Sequence, residues 1–389
     1  MKESTDAIKL VRITTVPISL KLLITGQAAY MRAHGINVQL ISADGPEVAA
    51  VVAHEGCPHH VIPFTRQITL WQDLKCLLSL IRYFRQERPD IVHTHTPKAG
   101  LLGMLAAWIT RVPLRIHTVA GMPLMVKKGI MRQLLLAMER LTYGAAHQVW
   151  PNSKSLYDFI LKQGLARASK LQVILKGSSN GIDLSAFQVA ALEASRLADM
   201  RLQYGLGADD FIFLSVGRMV TDKGIPELVR AFQLVNIPHA KLLLLGPLEQ
   251  SLDPLPEETL QALSGADPRI IHVHWSDEVA YFMAMADVLV HPSHREGFPN
   301  VLLQAGAMAC PVICSDIPGN IDIISHEETG LIFPVKQQVA LEQTLEEVHR
   351  HYDAAQIRAK RLQEQVFQYY ARERFHAEIL RQYQVLLTK

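Results

Sequence analysis

Three observations predict an α/β chain of two doubly wound, Rossmann-like domains. At 389 residues the chain is too long for one ordinary hydrophobic core. Short β-like apolar runs alternate with helical patterns through the first half, and the same rhythm restarts at Phe211–Gly217. The glycine- and serine-rich stretch Gly177–Gly181 separates the two halves. Strands alternating with helices imply right-handed βαβ units and parallel sheets covered on both faces.

In the first half the strand candidates are 10–16, 36–42, 90–94, 114–118, 147–150 and 171–175. Helical patterns fall at 20–34, 69–87, 99–110, 130–145 and 153–163, the last with Asn152-Ser153 as a plausible N-cap. In the second half the strand candidates are 211–217, 241–245, 270–273, 287–290, 311–314 and 331–333. The tail from 340 to 388 is charged and helical. The expected division is 1–183 and 184–389, with the terminal helices packing back on the first domain. Gly177–Gly181 is expected to act as a hinge. Two such domains would face each other across a cleft, with ligands at the carboxyl ends of the strands.

Composition narrows the function classes. Nearly half the residues are hydrophobic, so a large core is expected and disorder is not. The polar start carrying Glu3 and Asp6 is no secretory signal. The longest apolar run, 99–109, falls short of the roughly 20 residues of a spanning helix. The chain is therefore read as soluble and cytoplasmic. Cys57, Cys76, Cys310 and Cys314 make no disulfide framework in a chain of this size and read as buried thiols. The net charge of +2 hides an asymmetry. Residues 1–183 hold 22 Lys+Arg against 11 Asp+Glu, and residues 184–389 hold 17 against 26. A basic half suggests an anionic partner. Nucleic acid is excluded by the acidic second half and by the lack of an aromatic-interleaved basic groove.

The most informative stretch is His294–Met308. It places Glu296 and Gly297 in a loop and Pro299 at the first turn of a helix. N–H groups at such a junction, here of Phe298 and Asn300, attract anions, while Glu296 accepts hydroxyl hydrogen bonds. Phosphate and polyol recognition side by side suggests a nucleotide sugar. Arg218 and Lys223 stand five residues apart just past a strand end, a planar fork and a point charge. His93 and His95 alternate on one face of a strand; no third metal ligand accompanies them. With Lys98 they form a possible contact for acceptor phosphate. The basic, Met- and Leu-rich segment 122–140, with Lys127, Lys128, Arg132 and Arg140, either packs into the first domain or lies on an anionic membrane.

Together these motifs resemble the retaining glycosyltransferases of family 4, the group with the two-Rossmann GT-B fold. The resemblance spans about residues 10–335. It rests on Asp90–Thr96, Arg115–Gly121, Trp150–Ser153, Asn180–Asp183, Val216–Gly224 and the Glu296 stretch. It is most like bacterial enzymes that build capsule, O-antigen or exopolysaccharide units on a lipid carrier. The resemblance implies transfer from a nucleoside diphosphate sugar, held by the second domain, to a lipid-linked saccharide acceptor held by the first. It implies retained anomeric configuration, no metal and no cofactor. It assigns Arg218 and Lys223 to the diphosphate, Glu296 to donor-sugar hydroxyls and His117 to the sugar near its reacting carbon. It places Gly217 and Gly297–Asn300 around the phosphates and sugar, and Gly246 and Trp275 near the base. The chain departs from the family at Gln304, where a glutamate usually receives the ribose hydroxyls; the amide either still contacts ribose or faces its helix neighbours. The paired glycines common in the family's first loop are missing between Ile18 and Gly26. Two other classes fit the same fold: a nucleotide-sugar epimerase and a non-catalytic nucleotide-sugar-binding protein.

Overall fold

The computed structural model describes residues 7–122, 124, 128–251 and 253–388. Glu3, Asp6 and Lys127, on which expectations above rest, lie outside them. The chain forms two compact units, one of residues Met1–Gly181 with Arg372–Lys389 and one of Ile182–Ala371.

The first unit is a parallel sheet of β1 (Lys9–Ile13), β2 (Asn37–Ser42), β3 (His59–Val61), β4 (Ile91–His95), β5 (Leu114–Val119) and β6 (Gln148–Pro151), in the order β3-β2-β1-β4-β5-β6. Its helices are α1 (Pro17–Leu23), α2 (Gln27–Ala33), α3 (Val48–Glu55), α4 (Leu70–Glu87), α5 (Pro97–Ile109), α6 (Gly129–Ala145) and α7 (Lys154–Lys162). Buried side chains such as Leu10 and Val11 alternate between the faces of β1, so each face meets its own helical core. Ser153 caps α7 by accepting the Leu156 N–H at 3.1 Å.

Two expectations are corrected here, and one stretch of the fold had none. The pattern at 20–34 is two helices, because Gly26 takes a left-handed φ of 77° between them. Residues 171–175 make only an isolated bridge, Leu171 to Val149, and no strand. The run α3–β3 carried no expectation; β3 is a three-residue edge strand rich in histidine, with no apolar run to announce it.

The second unit repeats the plan with β7 (Phe211–Val216), β8 (Ala240–Leu245), β9 (Ile270–Val273), β10 (Val288–His291), β11 (Val312–Ser315) and β12 (Leu331–Phe333), in the order β12-β11-β10-β7-β8-β9. Around it lie α8 (Ala194–Gln203), α9 (Ile225–Leu234), α10 (Glu257–Gln261), α11 (Val279–Met285), α12 (Asn300–Ala307), α13 (Gln338–Arg350) and α14 (Tyr352–Tyr369). Gly246 lets β8 approach the β7 loop, since a Cβ there would stand 1.8 Å from the Gly217 carbonyl oxygen. All four cysteines are buried free thiols.

The last helix, α15 (Arg372–Leu387), belongs to the first unit. Phe375, Ile379 and Tyr383 bury against Leu20, Ile24 and Trp150. His376 Nε2 lies 2.8 Å from Asn180 Oδ1, which also accepts from Gln27 Nε2 at 2.7 Å, while Asn180 Nδ2 donates to the Thr25 carbonyl. Ser178 Oγ accepts the Asn180 and Gly181 N–H groups. Gly177–Gly181 is thus an anchored turn at the end of the first unit's main segment. The units divide just after it, where the Ile182 N–H donates to the Tyr370 carbonyl within the second unit.

Burial pushes the His117 imidazole down to about 4 and that of His376 down to about 3, and lowers His93 and His95 well below their ordinary value. The unfolded chain takes up these protons first. Stability of the first unit is therefore full above pH 6.5 and falls as the pH drops below it toward the folded values. Urea unfolding at about pH 7.5 and pH 5 should show this loss, and His376→Gln should reduce it; equal stability at both pH values would contradict it.

Candidate active site

The second unit gathers its candidate residues at the carboxyl ends of four adjacent strands, β10, β7, β8 and β9. Strand β7 ends at Val216, and the loop from Gly217 carries Arg218 and Lys223 to the left-handed Gly224. A Cβ on Gly224 would stand 2.1 Å from the Pro292 carbonyl oxygen, so glycine permits this loop to meet the one after β10. The loops are stitched by the His294 N–H to the Asp222 carbonyl at 2.9 Å and by Arg295 to Asp222 at 2.7 Å.

That contact brings Lys223 Nζ onto Glu296 Oε1 in an ion pair. Ser293 Oγ donates to the same oxygen at 2.8 Å, and His291 Nε2 lies 3.1 Å away. Burial alone would raise the Glu296 carboxyl; the Lys223 charge and the His291 hydrogen bond outweigh it and hold the group well below the usual carboxylate range. Glu296 is therefore an anion with one lone-pair-rich oxygen crowded by donors. Arg218 pairs with Glu249 but remains half exposed. Gly297, Phe298 and Pro299 are buried, with the Phe298 ring 5.7 Å from Tyr370, and Asn300 begins α12. Pro299 is the N-cap, one position earlier than expected. Gln304, one turn on, is half-buried and makes no side-chain hydrogen bond to the described residues. Gly246 follows β8, where the His272 ring lies 2.9 Å from its carbonyl, and Trp275 follows β9 with an exposed indole.

In the first unit His117 sits at 2% exposure near the end of β5, its Nδ1 2.8 Å from Thr94 Oγ1 on the neighbouring strand. Gly100 of α5 makes room for the ring, since a Cβ there would stand 2.4 Å from His117 Cε1. The imidazole, lowered by burial against the Thr94 hydrogen bond, is neutral at pH 7. It lines a cavity of about 100 Å3 with Thr96, Thr118 and Glu139.

His93 and His95 share a face and stack at 4.3 Å. They are buried, His93 between the hydroxyls of Tyr383 and Thr118 and His95 against Arg12 at 2.9 Å. Lys98 is turned away, paired with Asp73 at 2.7 Å and donating to Thr65. The structure thus brings His93 and His95 together, while Lys98 is taken up by Asp73 and the loop before α4. Arg12, which ties the histidines to Gln27 and Tyr383, was missed; its signal was a charge inside the apolar strand Lys9–Ile13. Among the described residues no group of three or more His, Cys, Asp or Glu is placed to hold a metal ion.

The segment 122–140, apart from 123 and 125–127, leads into and forms most of helix α6, which has two faces. Leu136, Glu139 and Tyr143 are buried, while Ile130 (90% exposed), Leu134 and Leu141 face outward beside Arg140. Helix α4 likewise exposes Trp71 (82%), Leu74 and Leu78 beside Lys75, Arg82 and Arg85. No helix among the described residues is long and apolar enough to cross a membrane.

Comparison with known proteins agrees with this layout. Residues 198–367 match the model of group 1 glycosyl transferases, and residues 23–177 match that of a glycosyl transferase 4-like domain. The chain is 37% identical over 329 residues to the capsular polysaccharide biosynthesis glycosyltransferase CapM of Staphylococcus aureus, covering 83% of each chain. It is 28% identical over 272 residues to the UDP-Gal:α-D-GlcNAc-diphosphoundecaprenol α-1,3-galactosyltransferase of Escherichia coli, covering 69% of this chain and 68% of that one. In fold it is similar to HepE of Anabaena crystallised with UDP, with a TM-score of 0.80 at 17% identity over 98% of this chain and all of the other. WaaG, a glycosyltransferase of lipopolysaccharide biosynthesis, shares the fold at a TM-score of 0.69 and 15% identity, over 92% and 95% of the chains. The shared architecture is GT-B.

The Lys223–Glu296 pair makes a stability prediction. The depressed Glu296 carboxyl contributes stability above its ordinary value of 4.5, and this is lost as the pH falls through the folded value. Lys223→Met should cost about 1–3 kcal/mol at pH 7, the pair being only partly buried. The gap to wild type should narrow below pH 4.5 in urea titrations; a gap that stays constant to about pH 3 would contradict the pairing.

Proposed function

This chain belongs to the group 1 glycosyltransferase family, and we propose that it moves a sugar from a UDP-sugar to a lipid-linked saccharide with retained anomeric configuration, in surface polysaccharide synthesis. The observation that carries this reading is the pair of cations, Arg218 and Lys223, held at the strand ends against carboxylates. Breaking a sugar–phosphate bond builds negative charge on the departing diphosphate, and fixed cations stabilise it without reorganisation. A diphosphate entering beside Arg218 and Lys223 replaces Glu249 and Glu296 as their partner. Arg218 grips it as a planar fork and Lys223 as a point charge. Glu296, still held by Ser293 and His291, is then free to accept sugar hydroxyls. The N–H groups of Phe298 and Asn300 add dipoles at the start of α12. In this reading these charges serve the departing diphosphate without a metal or a cofactor.

Gly217, Gly246 and Trp275 complete a line of groups across neighbouring strand ends, where the backbone carbonyls and an indole suit a uracil. In this reading Gln304, one turn into α12, meets the ribose. His117, neutral and enclosed, meets a sugar hydroxyl as donor or acceptor. Support for the nucleotide comes from HepE, crystallised with UDP, and for the acceptor from the diphosphoundecaprenol-linked saccharide in the name of the Escherichia coli relative.

A lipid-linked acceptor calls for a membrane-proximal enzyme. The outward faces of α4 and α6 combine exposed aromatic and aliphatic side chains with Lys75, Arg82, Arg85 and Arg140, the pattern of a helix lying in an anionic interface. In this reading the enzyme works in the cytoplasm, peripherally on the inner leaflet. Flotation with anionic vesicles should recover wild type, and a Trp71→Ser, Ile130→Ser double variant should stay unbound; wild type that never floats at moderate salt would contradict this.

The transfer itself is tested with UDP-glucose, UDP-galactose and their N-acetylhexosamine counterparts, with and without a GlcNAc-diphosphoundecaprenol acceptor. Wild type should transfer one sugar with its α configuration kept, and Glu296→Ala and Lys223→Ala should each lower turnover at least about a hundredfold. Conversion of the donor without acceptor would mark an epimerase, and UDP binding without turnover a non-catalytic protein. Gln304→Glu should tighten UDP binding by about tenfold, as a charged acceptor replaces a neutral one.

A further inference from the structure

Glu139 is a buried carboxyl that the chemistry above does not use. It lies on the inner face of α6 and lines the His117 cavity together with Thr96 and Thr118. The cavity lies within the first unit, and Val119–Gly121 form another part of its wall.

The polar groups around the cavity are unevenly satisfied. Thr118 Oγ1 is engaged with His93 at 2.7 Å, and Thr96 Oγ1 with Thr15 at 2.8 Å. His117 uses Nδ1 on Thr94 and makes no hydrogen bond through Nε2 among the described residues. The Tyr143 hydroxyl, four residues on along the helix, acts on Glu139 electrostatically without a hydrogen bond of ordinary geometry. A carboxylate offers about four acceptor sites, and burial with most of them empty is costly. Burial raises the Glu139 carboxyl, and the Tyr143 hydroxyl opposes the shift without abolishing it. The cavity wall thus presents a carboxyl, an imidazole with a spare nitrogen and two hydroxyls already engaged. It repels phosphate and carboxylate groups and accepts neutral hydroxyl or amide N–H groups. At about 100 Å3 it admits one edge of a pyranose ring, not a whole hexose.

We infer that Glu139 and His117 form a subsite for the hydroxylated edge of an uncharged sugar ring, in which Glu139 accepts a hydroxyl proton and so positions and selects that sugar. The subsite rests on the glycosyltransferase reading. The ring belongs either to the donor or to the acceptor, and the chemistry is the same for both. Glu139 is a sugar-binding residue in this account and takes no part in bond breaking.

The test uses the full-length protein with the UDP-sugar it turns over. Glu139→Gln keeps the volume and the place beside Tyr143 but weakens acceptance of a sugar hydroxyl. It should raise one KM at least about tenfold, with kcat within about threefold and an unchanged melting temperature. A higher KM for UDP-sugar in hydrolysis without acceptor places the donor ring in the subsite. A higher KM for GlcNAc-diphosphoundecaprenol at saturating donor places the acceptor ring there. Should the glutamine variant fail to fold, Glu139→Asp, which withdraws the charge by one methylene, is read in the same way. A folded variant with both KM values within about twofold of wild type overturns the subsite and leaves the transferase standing, since it means that Glu139 serves only its helix neighbour Tyr143. Wild type that turns over none of the donors contradicts the transferase and takes the subsite with it.

Discussion

The ion pair between Lys223 and Glu296 is the contact on which the functional layout of the second unit depends. Strands β7 and β10 are neighbours, yet adjacency alone does not join the loops that follow them. Gly224 removes the side chain that would collide with Pro292, and Asp222 ties the loops through His294 and Arg295. Only then do a lysine and a glutamate far apart in sequence share one proton-rich corner with Ser293 and His291. Each charge of the arrangement has a partner, and the partner of each cation is itself an anion. In the function proposed above, a diphosphate would exchange one negative partner for another, so the cations would not have to be stripped bare beforehand.

The first unit solves a different problem with the same means. Arg12 is buried in the middle of a sheet, and its cost is offset by Gln27, His95 and Tyr383 rather than by a carboxylate. Tyr383 comes from α15, so the end of the chain completes a network begun in its first strand. The turn at Ser178–Gly181 enters the same network through Asn180 and His376. What looks polar and mobile in sequence is polar because it is hydrogen-bonded, and fixed for the same reason.

Much of this was legible in the sequence where burial dominates. The strands of the second unit are continuous apolar runs because parallel strands are covered on both faces, and all six expected runs coincide with strands to within a residue or so. Glu296, Lys223 and Arg218 stood out as candidates because loop residues at strand ends escape the packing constraint and carry their charge openly. The edge strand β3 was not: His59–Val61 is exposed on much of its length and has no apolar pattern to betray it. The pairing of Lys98 was not legible, because its partner, Asp73, lies 25 residues earlier on another helix. Glu139 carries no signal of its own in the basic segment 122–140. Its significance lies in a cavity formed with β5 and the start of α5, and no one-dimensional pattern records that meeting.

The central claim is that the Lys223 corner receives a diphosphate. Calorimetric titration of UDP and UMP, against wild type and Lys223→Ala, tests it most directly, because the two ligands differ only in the second phosphate. Wild type should bind UDP at least about tenfold more tightly than UMP, a preference of about 1.4 kcal/mol, and Lys223→Ala should abolish most of that preference while leaving UMP affinity unchanged. Equal affinity of wild type for the two nucleotides, or a preference that survives the loss of Lys223, would contradict the account.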